Sequence, residues 1–460
     1  MSDILEAELA QSGGLKAGWV DLGKNDFFRD IWVVIFYLGL MLPYAFIGLW
    51  IGTVANNEFQ LPIKDIALAV MLLKIPFFLR LIWAQPVERF VNLPLGRRRS
   101  WILLGTIVHI FLIIPLLFID IRTATWVFVG VTFVALIPRL FAEQAVAGMM
   151  AESIPKLGRF NSGINLAYRG GGHILLLAMG WLTSNSSPFV ESTTTDWDTI
   201  QMIGLITAMV TAFFAVAITF VMKEGKAIRG PDSQKKRRVA KTMQDAIENV
   251  DLAFPESSTT MNRMLAAMRT RTAWIVLFLC FLIPLGDGFE GMFMFYMRDV
   301  LGFDAGEAIL WANIFIFATY LGLLGPWLSD HYGRAKVLRW SAMGSVVCYL
   351  GLSGMMFVGA PEIALLIMWM PTLMITDWLI FTFITTWAEV SDPRLGPTHM
   401  ALYQTTQAVA ATFVWFGLGV FLIYATGGAY WLIFLLACLG PMIGLSQFHK
   451  LKLGDEYGED

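Results

Sequence analysis

The sequence predicts an all-α membrane protein of twelve spans, arranged as two six-helix halves. Three observations predict it. Apolar residues make up 57% of the 460 and charged residues only 15%, against about 25% charged in a soluble domain, so most of the surface cannot face water. The charges that remain are gathered into polar stretches. Between those stretches lie apolar runs of the length, about 20 residues, that a helix needs to cross a bilayer.

In chain order the runs fall near 31–53, 65–84, 101–119, 124–148, 163–183 and 199–222. After a polar stretch they resume near 273–297, 306–328, 337–358, 362–387, 400–425 and 428–446. The chain therefore divides into an N-terminal segment (1–30), a first half (31–222), a linker (223–272), a second half (273–446) and a tail (447–460). Residues 1–30 are polar and carry no small-residue cleavage site, so the first run is expected to stay as a span. Cys280, Cys348 and Cys438 all sit in apolar runs. They predict buried small side chains, with neither a disulfide framework nor a metal site.

Lys and Arg predict the orientation, because cationic loops stay on the cytoplasmic side. Arg89, Arg97, Arg98 and Arg99 lie in the 85–100 loop, Lys156 and Arg159 in 151–162, and Arg334, Lys336 and Arg339 in 329–339. The 223–272 linker holds eleven cations. The opposite loops hold the acids Glu58, Asp120, Glu191, Asp196, Asp198 and Glu362. Both termini and the linker are thus expected in the cytoplasm, with the chain multi-pass in a bacterial-type inner membrane. Within the linker, Val239, Met243, Ile247 and Val250 share one helical face, and Met261, Met264, Leu265 and Met268 another. They predict two amphipathic helices on the membrane surface, the alternative being a solvated tether. Residues 4–11 predict a similar short helix.

Two loops six spans apart match. After the second run comes Trp83, Pro86, Glu88-Arg89-Phe90 and Gly96-Arg97-Arg98-Arg99; after the eighth comes Asp330-His-Tyr-Gly333-Arg334-Ala-Lys336. An acid, a glycine turn and a basic cluster recur, as two related six-helix repeats require. The second copy resembles the loop signature of the major facilitator superfamily, with Pro326 where that signature has its leading glycine. The first copy resembles, more narrowly, the muropeptide permease and acetyl-coenzyme A transporter family. Arg80, Trp83, Glu88 to Phe90 and Gly96 to Arg99 stand at that family's spacing, with Pro86 one place late. Glu143, Glu152, Pro155 and Arg159 fall on its acid, acid, Pro and Arg positions. Ala147 stands where it has a second intramembrane acid. Tyr168-Arg169 with Gly170 to Gly172, and Thr398-His399-Met400-Ala401-Leu402, resemble two further stretches. Siderophore permeases and pigment-biosynthesis membrane proteins share parts of the pattern. The resemblance implies the major facilitator fold and proton-coupled import of a muropeptide or a related conjugate.

Ionisable residues inside spans cost roughly 2.5–3.5 kcal/mol each, so they mark a cavity or a partner. Lys74 and Arg80 lie on the second run, Arg139 and Glu143 on the fourth, Arg169 and His173 on the fifth, Asp287 and Glu290 on the seventh and Asp377 on the tenth, with Gln404 and Gln407 on the eleventh. Arg139 and Arg169 can hold an anion, because guanidinium binds carboxylate or phosphate bidentately and keeps its charge. Tyr168, Gln404 and Gln407 supply further polar contacts. Glu143, Asp287, Glu290 and Asp377 are the candidates for proton uptake. The alternative is static pairing, Arg139 with Glu143, and Arg80 reaching for the interface. Arg80, Glu88, Arg89, Gly96, Arg97, Arg98, Asp330, Gly333 and Arg334 are either gating loops or topology signals.

Nothing in the sequence competes as an enzyme: it has no Walker-type loop, no metal-spaced His/Cys cluster and no nucleophile elbow. The expected protein is a secondary transporter, functional as a monomer. Its expected partners are a small-molecule substrate, a proton and lipid, with no cofactor, metal or nucleic acid. The rival expectations are a siderophore permease and a non-transporting assembly factor.

Overall fold

Long apolar runs leave the backbone no partner in lipid but itself, and only helices satisfy every N–H and C=O within one segment. The computed structural model describes residues 20–21, 26–49, 63–89, 98–153, 161–167, 170, 197–223, 271–303, 305–390 and 396–451. Apart from one short strand pair, their regular structure is helical. Eight helical stretches among them are long and apolar enough to cross a membrane. Large side chains point outward from them, Phe111, Phe118, Phe213, Val347, Phe357 and Phe421 each being over 60% exposed. In water such a surface would aggregate; in a bilayer it meets acyl chains. The fold class expected from composition is therefore the one observed. The linker helices, the 4–11 helix and His173 lie outside the described residues.

The chain divides into two units, Met1–Ser153 with Gly170–Ile228, and Ile154–Arg169 with Arg229–Asp460. The first contains α1 (Asp26–Leu49), α2 (Ile63–Phe78), α3 (Arg80–Arg89), α4 (Arg99–Ile113), α5 (Thr125–Ser153) and α6 (Trp197–Val221). Helix α1 packs along α6, α4 lies on α5 and α6, and α2 and α3 lie on α5. Small residues set the close crossings, as they do where lipid gives no hydrophobic drive to helix association. A Cβ on Gly39 of α1 would stand 2.6 Å from the Cβ of Ala215 on α6. Strand β1 (Val20–Asp21) pairs in parallel with β2 (Met222–Lys223), tying the start of this unit to the end of α6.

The second unit contains α7 (Arg271–Leu282), α8 (Leu285–Asp299), α9 (Ala305–Gly322), α10 (Leu324–Tyr332), α11 (Arg334–Phe357), α12 (Glu362–Val390), α13 (Gly396–Val409), α14 (Phe416–Ala425), α15 (Tyr430–Ala437) and α16 (Leu439–Phe448). Its core is aromatic: Phe293 stacks on Trp369 at 4.3 Å between ring centroids and meets Phe315 and Phe434 edge-on. Residues 161–167 form a short helix that belongs to this unit. Asn161 donates through Nδ2 to the Phe381 carbonyl at 2.8 Å and to Thr385 Oγ1 at 3.0 Å, and Ser162 Oγ donates to the Leu323 carbonyl at 2.8 Å.

Several expected spans are broken rather than continuous. Proline removes a donor from the helix ladder and crowds the preceding turn, and a carbonyl left open in a membrane must find another partner. At three of the breaks an indole N–H supplies one. At the break between α2 and α3, Trp83 donates to the Pro76 carbonyl at 2.9 Å. Beside Pro284, between α7 and α8, Trp415 donates to the Phe281 carbonyl at 2.6 Å. Between α9 and α10, just before Pro326, Trp378 donates to the Leu321 carbonyl at 2.6 Å. Trp415 itself closes a π-helical turn, Ala410–Trp415, that joins α13 to α14.

Candidate functional site

The interior of the first unit gathers charge around one carboxylate. Arg139 and Glu143 stand one helical turn apart on α5, so they share a face. Glu143 Oε1 lies 2.6 Å from Arg139 Nη2, in an ion contact without hydrogen-bond alignment. Its Oε2 accepts from Arg80 Nη2, at the start of α3, at 3.4 Å. The break at Leu79 lets Arg80 turn toward α5 while Trp83 closes the open carbonyl. Arg139 is wholly buried, and aromatic faces stand in for water. Its guanidinium carbon lies 4.7 Å from the Tyr44 ring centroid and 5.5 Å from that of Phe77. Arg80 lies 5.0 Å from the Phe77 centroid, and the Lys74 ammonium 5.8 Å from that of Tyr44. Such contacts are worth about 0.5–1 kcal/mol where water reaches them and about 2 kcal/mol or more where they are desolvated, as around Arg139. Met41 Sδ, a weak acceptor, meets Arg139 Nη2 at 3.2 Å.

Two more side chains of this unit feel the cluster. Tyr37 of α1 lies in the field of Glu143, Arg80 and Arg139. His109 of α4 lies in that of Arg139. His109 Nδ1 stands 2.6 Å from the Ala135 carbonyl, which can only accept, so Nδ1 carries the proton.

The second unit assembles the opposite charge. Asp287 lies in the first turn of α8, whose N-terminus is created inside the span by the break at Pro284. A helix N-terminus favours a carboxylate. Glu290 follows on the same helix, and Asp377 is buried midway along α12. All three act electrostatically on Tyr349 of α11, whose hydroxyl accepts from Thr376 Oγ1 at 3.1 Å. Gly286 makes room for that hydroxyl, which a Cβ there would strike. Gly322, the last residue of α9, lies against Asp377: a Cβ would come 2.5 Å from the aspartate's own. Gln404 and Gln407 are half-buried on α13.

The two matching loops carry different contacts. Arg98 and Arg99 are both buried. Arg98 Nη1 donates to the Val87 carbonyl at 3.0 Å, and Arg99 Nη2 to the Phe220 carbonyl at 2.9 Å. Those carbonyls lie in the last turns of α3 and α6, where cations are favoured. In the second copy, Asp330 Oδ1 and Arg334 Nη2 lie 3.6 Å apart. Gly333 links α10 to α11 at φ +92°, a conformation glycine adopts without strain. Tyr168, Arg169, Gly96 and Arg97 lie outside the described residues, as do the side chains of Glu88 and Arg89.

Sequence reasoning did not single out Tyr37, Tyr44, Phe77, Tyr349 or Asn161. Each acts through a partner on another helix, and no local spacing announces it. The one available signal was aromatic: Tyr44 and Phe77 lie on spans next to one that carries a buried arginine.

The profile of the Major Facilitator Superfamily matches residues 33–415. Among solved structures, the chain is similar to the proton:xylose symporter XylE, with a TM-score of 0.67 and 13% identity over 93% of this chain and 96% of that one. It is similar to the E. coli fucose:proton symporter FucP, with a TM-score of 0.63 and 12% identity over 92% and 98%. A bacterial homologue of the iron transporter ferroportin gives 0.64 and 13% over 92% and 98%. No curated protein matches the sequence. With a twelve-helix fold shared over nearly its whole length and a family profile covering most of it, the chain belongs to the major facilitator superfamily and is a membrane transporter.

Proposed function

We propose that this transporter is a proton-coupled symporter that imports a small to medium polar solute, such as a muropeptide, across a bacterial-type inner membrane. Both termini and the cationic linker lie on the cytoplasmic side. The observation that carries the reading is the placing of acids on two helices that meet Tyr349 inside the second unit: Asp287 and Glu290 on α8, whose Gly286 lies against the Tyr349 hydroxyl, and buried Asp377 on α12, next to Thr376, which donates to that hydroxyl. Carboxylates held among apolar helices are costly unless they are used. These carboxylates are therefore the groups from which a proton carrier would be drawn. The two sugar symporters of the same fold are named as proton-coupled, which supports the mode of coupling and leaves the cargo open.

Uptake into energised right-side-out vesicles tests the proposal. Accumulation of a radiolabelled muropeptide should collapse when a protonophore is added. Accumulation indifferent to the protonophore would remove proton coupling, and no uptake at all would remove the muropeptide. The second reading, a siderophore permease, draws on the likeness to the ferroportin homologue. It predicts uptake of a ferric chelate by the same vesicles.

A further inference from the structure

We infer that Arg139 and Arg80 form a seat for a carboxylate of the substrate, and that Glu143 fills this seat in the substrate-free protein. The inference rests on the transport reading above and deepens it by naming the chemical class of the cargo. It gives Glu143 a different role from proton carrier: an internal counter-ion that the substrate displaces.

Three features of the first unit carry it. The first is charge. Lys74, Arg80 and Arg139 converge on the rings of Tyr44 and Phe77, while Glu143 is the one carboxylate among the described residues that touches any of them. The second is unused hydrogen-bonding capacity. Arg139 Nε and Nη1, and Arg80 Nε, are buried and make no hydrogen bond among the described residues. A purely structural ion pair in this setting would be expected to satisfy its donors, because each buried N–H left open is costly. The third is geometry. The two oxygens of one planar carboxylate already bridge the two guanidiniums, Oε1 toward Arg139 and Oε2 toward Arg80. A substrate carboxylate that reaches the cluster can take both guanidiniums, with these N–H groups to spare, as Glu143 turns away. Guanidinium suits this exchange, since it holds its charge and presents several donors in a fixed fork.

The test removes the internal occupant and asks whether a free carboxylate replaces it. Full-length protein in nanodiscs carries Glu143→Ala, and its thermal unfolding is followed with sodium formate, formamide, sodium phosphate or sodium chloride added. The variant should unfold several degrees below wild type, and formate should restore a saturable part of that loss. Formamide and chloride should not, and the Arg139→Ala/Glu143→Ala double variant should show no formate effect. Glu143→Gln keeps the shape of the side chain without its charge. Formate should stabilise it too, so the question stays open to refutation if the alanine variant cannot be prepared. No formate-specific stabilisation in either variant, or an undiminished effect in the double variant, overturns the seat. Stabilisation by phosphate at least as strong as by formate overturns the choice of carboxylate in favour of a phosphoryl group. None of these readings depends on transport, so protonophore-insensitive uptake would overturn the coupling proposal and leave the seat standing.

Discussion

The indole of Trp415 donates a 2.6 Å hydrogen bond to the carbonyl oxygen of Phe281. The donor closes the π turn of one span, and the acceptor lies beside the proline break of another. Gly288, on the far side of that break, lets the two backbones approach: a Cβ there would stand 2.6 Å from the Cβ of Trp415. Two irregular stretches of helix therefore satisfy each other. Trp415→Phe keeps an aromatic ring but removes the donor together with the second ring of the indole. It should cost about 1–3 kcal/mol, the usual penalty for stranding a buried acceptor, read as a lowered apparent Tm in nanodiscs. An unchanged Tm would show that the carbonyl finds another partner.

Arg139→Ala leaves Glu143 with Arg80 alone at 3.4 Å. Removing one member of a buried pair costs about 3–5 kcal/mol. Adding Glu143→Ala to it should therefore cost less than the single changes summed, with a coupling of at least about 1 kcal/mol. A double-mutant cycle on thermal or denaturant unfolding measures the coupling; strict additivity would contradict it.

Asp377→Asn removes a carboxylate from the Tyr349 group without changing its shape. The proposed coupling predicts that substrate exchange across the membrane survives while uphill accumulation is lost. Counterflow and protonophore-sensitive uptake, measured on the same vesicles, separate the two. A variant that still concentrates its substrate would take Asp377 out of the proton path.

Reversing Asp330 to lysine sets two cations side by side on one helix face, since Arg334 lies one turn on, 3.6 Å from the native carboxylate. If this loop gates the transporter, cycling should suffer more than binding. The turnover rate for uptake should fall while the equilibrium affinity for substrate stays near that of wild type. Unchanged uptake would reduce the loop to a topology signal.

On the acid-bearing end of the first unit, Arg122 bridges two aspartates, at 2.9 Å from Asp120 and 2.8 Å from Asp198. The hydrogen bond from Arg122 holds the Asp120 carboxyl below its ordinary range. A folded-state value below the unfolded one adds stability above the ordinary carboxylate pKa, and that stability is lost as the pH falls through the folded value. Arg122→Ala should therefore flatten the acid limb of a stability–pH curve below about pH 4. The groups are exposed, so the effect should stay within about 1 kcal/mol and shrink in high salt. An unaltered acid limb would rule out the contribution.

The spans were legible because hydropathy and length are averages over many residues, and averages survive local irregularity. The breaks were not. Pro284 and Pro326 could be seen in the sequence, but membrane helices tolerate proline when something else takes the open carbonyl. That something was a tryptophan far away in the chain, as with Trp415 and Phe281. The Arg139–Glu143 pair could be read from its i,i+4 spacing. Its link to Arg80 could not, because that depends on the turn at Leu79. Likewise Asp287, Glu290 and Asp377 were visible as acids in apolar runs, while Tyr349, which lies in the field of all three, looked like any other aromatic.

The π turn at Ala410–Trp415 means that this span holds one more residue than its length in space requires, since the wider loop takes up an extra residue without lengthening the rod. Helical periodicity read across it slips by one place, and α13 and α14 cannot be drawn on a single wheel. The span also has a spare position. Dropping one residue inside 410–415 should tighten the turn to ordinary α-helix and leave both flanks in phase. The same deletion within α12 would rotate everything after it by about 100° and scatter the residues around Asp377. A length change that would ruin most of the bundle is, at this one place, already provided for.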